Sequence, residues 1–239
     1  MSARKSITRR LWALTLLSGI ALGMTGTILA TSVSASTCPA SGAPFASGYQ
    51  SGTNGRGDRV SGPGMAIYDG NVTCGRVSSI FVYNSAATRY VEVGWYENPA
   101  GVYNCLPVTN GPPKVLAFYL LDGVAACWGQ PSTLSGGTTA GFWVDDNNQD
   151  AIWNFFYAGT NVYNSGKMST FTTGILVNNG ERLNTDNTAH ADFDGMKRMN
   201  SSQQWVDWTS ATYSSNDSGM HGCYYSATHQ AVKEVGTAC

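Results

Sequence analysis

Arg89-Tyr90-Val91-Glu92-Val93-Gly94-Trp95-Tyr96 repeats its apolar residues at every second position, the pattern of a β-strand. Val91, Val93 and Trp95 fall on one face, and Tyr90, Glu92, Gly94 and Tyr96 on the other. Glu92 is therefore an acidic side chain among aromatics in a segment otherwise built to be buried. A carboxylate held there, with little positive charge beside it, has its ionised form disfavoured, and this is how a protein prepares a carboxyl group for acid and base chemistry. The competing reading is an ordinary glutamate on the wet side of a half-buried antiparallel sheet.

Strand-like segments of the same kind recur at short intervals, over residues 77–83, 90–96, 114–121, 141–145, 151–157, 171–177, 204–213 and 222–226. Turn formers separate them: Asn98-Pro99, Asn110-Gly111-Pro112-Pro113, Ser135-Gly136-Gly137, residues 145–149 and Asn178-Asn179-Gly180. Helix-period stretches are short. The spacing predicts an all-β fold, a sandwich or a barrel, in which two antiparallel sheets each bury one face.

The N-terminal 35 residues read as a signal peptide. Arg4, Lys5, Arg9 and Arg10 precede an apolar segment over 11–30, which ends in the small-x-small sequence Val33-Ser34-Ala35. The protein is thus expected to be secreted and extracellular. Arg9-Arg10 also admits a twin-arginine route. Residues 36–75, rich in Gly, Ser and Pro, read as an arm attached to a β-domain over 76–239. Removing the leader leaves ten basic against fifteen acidic residues, a net formal charge of −5. That balance, with no Lys/Arg cluster, argues against nucleic acid as a partner. No later segment is apolar enough to span a bilayer, so no membrane association is expected after leader removal, and a monomer is expected.

All six cysteines, Cys38, Cys74, Cys105, Cys127, Cys223 and Cys239, follow the leader, and an even set in an oxidising compartment reads as three disulfides. Fifteen pairings are possible. Cys105 with Cys127 is the best local choice, Cys38 and Cys74 are placed to hold the arm, and Cys239 reads as a C-terminal clip. No CxxC or HExxH spacing occurs and His190, His221 and His229 are scattered, so neither a metal nor any cofactor is expected. Asp145-Asp146-Asn147-Asn148-Gln149-Asp150 has the composition of a calcium loop but lacks the central Gly and terminal Glu of an EF-hand, and reads as a polar hairpin loop.

Aromatics cluster in Phe142-Trp143, Trp153 with Phe155 and Tyr157, Trp205 with Trp208, and Tyr224-Tyr225. Most must fill the core; a surplus would line a groove suited to an extended peptide or a sugar chain. The chain has four glutamates, Glu92, Glu97, Glu181 and Glu234. Glu97 reads as solvated beside a turn, Glu234 as surface charge, and Glu181, just after Asn178-Asn179-Gly180, as a loop residue unless the turn aims it inward. No Gly-x-Ser-x-Gly elbow accompanies the histidines, which disfavours Ser-His-Asp catalysis. Glycoside hydrolysis needs only two separated carboxylates, which Glu92 with Glu181, Asp122 or Asp145 would provide.

Glu92-Val93-Gly94-Trp95, followed by Asn98-Pro99 and Val102-Tyr103, resembles the neprosin-type motif of a Glu, a small residue and Gly-Trp, then a Pro and a Tyr. Residues 118–121, Asp122-Gly123 and Cys127 are similar in order to that family's aromatic strand, Asp-Gly pair and downstream Cys, and Gly180-Glu181 resembles its second Gly-Glu. Here Asn178-Asn179 stand where the family carries Trp and Gly, and of the later Gly-Ser-Gly only Asp194-Gly195-Met196 has a counterpart. The resemblance spans residues 77–200. It implies a glutamic peptidase on a double-sheet β-sandwich, Glu92 and Glu181 as the catalytic pair, and a peptide or protein substrate that favours proline; Trp95, Tyr96, Tyr90 and Asp122, near the first motif, are the candidate substrate-binding residues. The alternative is a non-catalytic extracellular sandwich that binds polysaccharide through its aromatic groove.

Overall fold

The structure is a computed structural model that describes residues 38, 45–68, 72–84, 86, 88–101, 105–109, 111–121, 124–130, 134–167, 171–182, 191–215, 219–234 and 236–239. The leader and Asp122 lie outside them. In chain order the strands are β1 (Phe45–Gly55), β2 (Gly57–Ile67), β3 (Arg76–Tyr83), β4 (Tyr90–Glu97), β5 (Lys114–Leu121), β6 (Val124–Gln130), β7 (Thr138–Asp145) and β8 (Ile152–Tyr157). They continue as β9 (Thr160–Lys167), β10 (Gly174–Arg182), β11 (Ala191–Asp194), β12 (Met196–Met199), β13 (Trp205–Asp207), β14 (Thr212–Ser215), β15 (Met220–Tyr224) and β16 (His229–Glu234). No helix occurs among the described residues.

Two antiparallel sheets stack face to face. One has seven strands in the order β14-β1-β10-β3-β4-β5-β6; the other has nine, ordered β15-β16-β11-β2-β7-β8-β9, with β12 added to β2 and β13 to β12. The predicted β-sandwich is therefore the observed fold. Alternation fills the space between the sheets: Val91, Val93 and Trp95 of β4, Ile80 and Val82 of β3, and Val115 and Ala117 of β5 meet Val60 and Met65 of β2, Phe142 and Val144 of β7, and Trp153 and Phe155 of β8. The three wholly buried indoles each find an acceptor, as a buried N–H requires. Trp95 donates to the Ala66 carbonyl at 3.0 Å, Trp153 to the Phe171 carbonyl at 2.9 Å, and Trp208 to Asp58 Oδ1 at 3.0 Å.

Several sequence expectations are corrected. The segment read as an arm carries β1 and β2, one in each sheet. β1 is Gly- and Ser-rich and would not be recognised by side-chain pattern, but β10 and β14 bond it along both edges through the backbone. In β2, Ser61-Gly62-Pro63-Gly64 occupies a bulge, where the register to β7 shifts between Val60 and Met65. Asn178-Asn179-Gly180, expected as a turn, lies inside β10. Asn178 points into the core and donates its amide to Gln230 Oε1 of β16 at 2.6 Å, a polar bridge between sheets that Tyr213 joins through its hydroxyl at 2.9 Å. Glu97 is not solvated: it ends β4 on the inner face, is 3% exposed and pairs with Arg76. Arg76 in turn donates to the Tyr68 carbonyl at 2.7 Å and lies 5.3 Å from the centre of the Trp95 ring.

The described cysteines form Cys38–Cys74, Cys105–Cys127 and Cys223–Cys239. No helix among the described residues is long and apolar enough to cross a membrane.

Asp58 of β2 is wholly buried between the sheets. Burial pushes its carboxyl well above the usual range, against the opposing pull of the Trp208 indole N–H and the Arg59 backbone N–H. Its folded pKa exceeds its unfolded one, so the stability it contributes is complete below the ordinary aspartate pKa of about 3.9 and is lost as pH rises from there toward the folded value. The melting temperature of the wild type is expected to fall relative to that of Asp58→Asn as pH is raised from 3 to 8. A constant difference between the two melting curves would contradict this.

Candidate functional site

The outer face of the seven-stranded sheet, turned away from the second sheet, carries Glu92. In register it stands opposite Phe81 of β3 on one side and Phe118 of β5 on the other. Glu92 is 7% exposed, and the Ser79 hydroxyl donates to its Oε1 at 2.6 Å. Ser79 faces Gly94, two residues beyond Glu92. The backbones approach closely there: a Cβ on Gly94 would lie 2.1 Å from the Ser78 carbonyl oxygen and 2.6 Å from Ser79 Cα. The glycine of the Glu-x-Gly-Trp stretch thus lets β3 press its serine against β4, within reach of the glutamate.

Glu181, 6% exposed, is on the same face of the same sheet. Successive rows across β4, β3 and β10 read Glu92–Phe81–Val177, Gly94–Ser79–Asn179 and Tyr96–Val77–Glu181. Ser79 occupies the central row, and the two glutamates are its diagonal neighbours on either side. On a flat sheet that offset of two strands and four residues separates their Cα atoms by about 17 Å, and Glu92 closes part of the distance by reaching to Ser79. Asn179, 2% exposed, completes the central row.

Tyr90 lies on the Glu92 face, stacked on Phe118 with ring centres 5.2 Å apart and 5.9 Å from Phe81. With Tyr83 these rings form an apolar wall along one side of the carboxylate. Tyr96 is on that face too, but is wholly buried against Val77, Leu106 and Leu116, and burial pushes its phenol up to about 12. Trp95 is a correction to the expected substrate-binding set: its parity sends it to the inner face, where it is wholly buried and bonded to Ala66 of the opposite sheet. Asp122 lies outside the described residues.

The other acidic and metal-type groups stand apart from this face. Asp146 spends one carboxylate oxygen on Arg56 at 3.2 Å and accepts the Asp150 N–H at 3.1 Å on the other, so the Asp-rich stretch is the hairpin loop between β7 and β8. Asp145, on the outer face of the nine-stranded sheet, is pushed up to about 6 by burial, with Asn147, Asn154 and Arg59 pulling the other way. His229 pairs with Asp192 at 3.1 Å. The metal-type cluster among the described residues, His221 with Cys223 and Cys239, has both sulfurs in a disulfide, which removes the thiolates a metal would bind.

Comparison with solved structures identifies the architecture. A scytalido-glutamic peptidase bound to a peptide-based transition-state analogue superposes with a TM-score of 0.57 at 11% identity, over 81% of this chain and 98% of that one. SCP-B, an eqolisin peptidase in complex with the tripeptide Ala-Ile-His, superposes with a TM-score of 0.54 at 11% identity and the same coverage. The chain has the glutamic-peptidase fold. No sequence-family profile and no curated protein matches it by sequence.

Within this glutamic-peptidase fold, sequence reasoning missed Ser79 and Asn179. The signal for the first was the Ser78-Ser79 doublet in an otherwise apolar strand; Asn179 was hidden by its turn-like neighbours. Gly94→Ala, which must push β3 and β4 apart, is expected to lower the unfolding free energy by about 1–3 kcal/mol in urea titration. An unchanged midpoint would mean that the two strands do not approach so closely.

Proposed function

We propose that the chain is a secreted glutamic endopeptidase of neprosin-like type, hydrolysing peptide bonds in acid with Glu92 and Glu181 as a water-activating pair. The observation that carries this is that the two glutamates share one sheet face on either side of Ser79, in a fold common to glutamic peptidases. That solved neighbours hold a peptide-based transition-state analogue and a tripeptide supports an extended peptide as the substrate class. The wall of Tyr90, Phe118, Phe81 and Tyr83 beside Glu92 supports a preference for proline, whose apolar ring packs on aromatic faces. Export is supported by the leader-like N-terminus and by three disulfides.

The chemistry follows from two carboxyls serving one water. Both cannot ionise cheaply in a shared, dehydrated site, so one carries a proton in acid while the other is charged. The charged member takes a proton from water as the water oxygen attacks the scissile carbonyl. The protonated member hydrogen-bonds the oxyanion and then protonates the leaving amine.

A second reading, polysaccharide binding, draws on the outer face of the nine-stranded sheet. There Trp143 stacks on Phe156 at 4.9 Å, and Asn161 and Asn164 donate to Asn154 at 3.3 and 3.0 Å. Both Trp143 and Trp205 are, however, already approached by Arg59, at 4.7 and 5.6 Å from their ring centres.

A proline-containing fluorogenic peptide library, incubated with the purified protein between pH 3 and 8, is expected to be cleaved in acid and not near neutrality. Glu92→Gln and Glu181→Gln are each expected to lower kcat/KM by at least about a hundredfold. Full activity at pH 8 in the double variant would exclude the pair, and a folded protein that cleaves nothing but binds on a glycan array would favour the second reading.

A further inference from the structure

The outer face of the nine-stranded sheet, on the opposite side of the sandwich from Glu92 and Glu181, holds an arginine between two indoles. One row across the strands reads Asp207–Lys197–Arg59–Trp143–Phe156–Asn161, on β13, β12, β2, β7, β8 and β9. The next row, two residues along, reads Trp205–Met199–Gly57–Asp145–Asn154–Asn164. Phe156 stacks on Trp143 at 4.9 Å from one flanking strand, and the Arg59 guanidinium approaches it at 4.7 Å from the other. Trp205 reaches past Met199 into the space that Gly57 leaves, where a Cβ would lie 3.1 Å from the indole, and meets the same guanidinium at 5.6 Å.

Among the described residues Arg59 has no acceptor. Its Nε is buried without a partner, and the guanidinium forms no ion pair or hydrogen bond. Lys197 is paired with Asp207 at 3.1 Å. Asp145 is the remaining titratable group of the two rows. It bonds the Asn154 side chain and the Asn147 backbone, and burial pushes it up to about 6. In acid its carboxyl is mostly protonated, and Arg59 is then the unbalanced charge of the strip. A half-buried guanidinium has shed part of its water, and a planar carboxylate that takes two of its N–H groups at once restores the lost hydrogen bonds with opposite charge.

The neighbours narrow the ligand further. Stacking of a neutral sugar on Trp143 is poorly served, because one face of the indole carries Phe156 and the other Arg59. Beside the indoles stands a patch of amides: Asn161 and Asn164, exposed on β9, both donate to Asn154 Oδ1, at 3.3 and 3.0 Å. Each of these amides keeps a second N–H, and amides match hydroxyls because both groups donate and accept. A charged acceptor at Arg59 with hydroxyls along the amide patch describes an acidic sugar chain.

We propose that this strip is a second binding site, for the uronic-acid units of an acidic polysaccharide, with Arg59 holding the carboxylate and Asn161 and Asn164 the hydroxyls. It goes beyond both readings above. The site does not depend on the glutamate pair, and it fastens the protein to an acidic polysaccharide whether or not the opposite face cleaves peptides.

The test is isothermal titration of the purified protein at pH 5 with polygalacturonate, with its methyl ester, which keeps the hydroxyls and loses the charge, and with polyglutamate, an acidic chain without hydroxyls. Polygalacturonate is expected to bind at least about tenfold more tightly than either control, the worth of one charge-assisted hydrogen bond. Arg59→Gln is expected to remove that advantage, and Glu92→Gln to bind as the wild type does. Equal binding of the ester, or no binding of polygalacturonate, overturns the site. Equal or tighter binding of polyglutamate overturns the polysaccharide and points to an acidic peptide. Binding that survives in folded Arg59→Gln, or is lost in Glu92→Gln, places the ligand elsewhere and overturns the assignment. Should Arg59→Gln not fold, the comparison of acid with ester on the wild type still decides.

Discussion

The Trp95 indole is the constraint on which the site depends. It is wholly buried between the sheets and donates its N–H to the Ala66 carbonyl of the opposite sheet, so it fixes the face and the height of β4 at once. A slip of one residue in β4 would turn Val91, Val93 and Trp95 outward and Glu92 into the core, exchanging buried apolar area for an unpaired carboxylate. Glu92 is thus held on the outer face by its neighbours' burial and not by any preference of its own. Arg76, lying over the same indole and paired with Glu97, closes the end of the strand.

Polar residues inside this sandwich are tolerated where a partner is waiting. Asn178 would interrupt a strand on composition alone, yet its amide reaches Gln230 in the facing sheet, which also accepts the Tyr213 hydroxyl. Asp58 accepts the Trp208 indole N–H, and burial pushes its carboxyl well above the usual range. The Asn178 bridge removes a reason for the chain to turn where the sequence suggests a turn, and β10 runs on past Asn178-Asn179-Gly180 to carry Glu181 in the same sheet as Glu92.

The outer face of the seven-stranded sheet is no ordinary wet surface. Leu106, in the segment that the Cys105–Cys127 disulfide ties to β6, packs on Val77, Tyr96 and Leu116, and the aromatic wall of Tyr90, Phe118 and Phe81 lies on the other side of the Gly94–Ser79–Asn179 row. Between two apolar clusters, the polar row and its flanking glutamates form a dehydrated strip in which hydrogen bonds and charges interact more strongly than in water.

Much of this was legible in the chain itself. Period-two alternation marked β3, β4, β5 and β8 to within a residue or two, the even cysteine count gave three disulfides, and the Glu-x-Gly-Trp stretch singled out Glu92. These are local properties, set by covalent spacing and by which side chains leave water. The Gly- and Ser-rich β1 was illegible because a strand paired on both edges is held by its backbone, which leaves no side-chain signature. Parity set Trp95 on the face opposite Glu92, but sequence did not reveal that this face closes against the second sheet, or that Ser79 lies between the two glutamates. Those facts depend on strand order and register: β10 lies beside β3 only after the chain has built most of both sheets, and row alignment across β4, β3 and β10 is decided by the simultaneous burial of three inner faces. The sequence by itself determined which residues can do chemistry, because that is a matter of residue type; only the tertiary structure decided which of them stand together, because register is a property of packed strands.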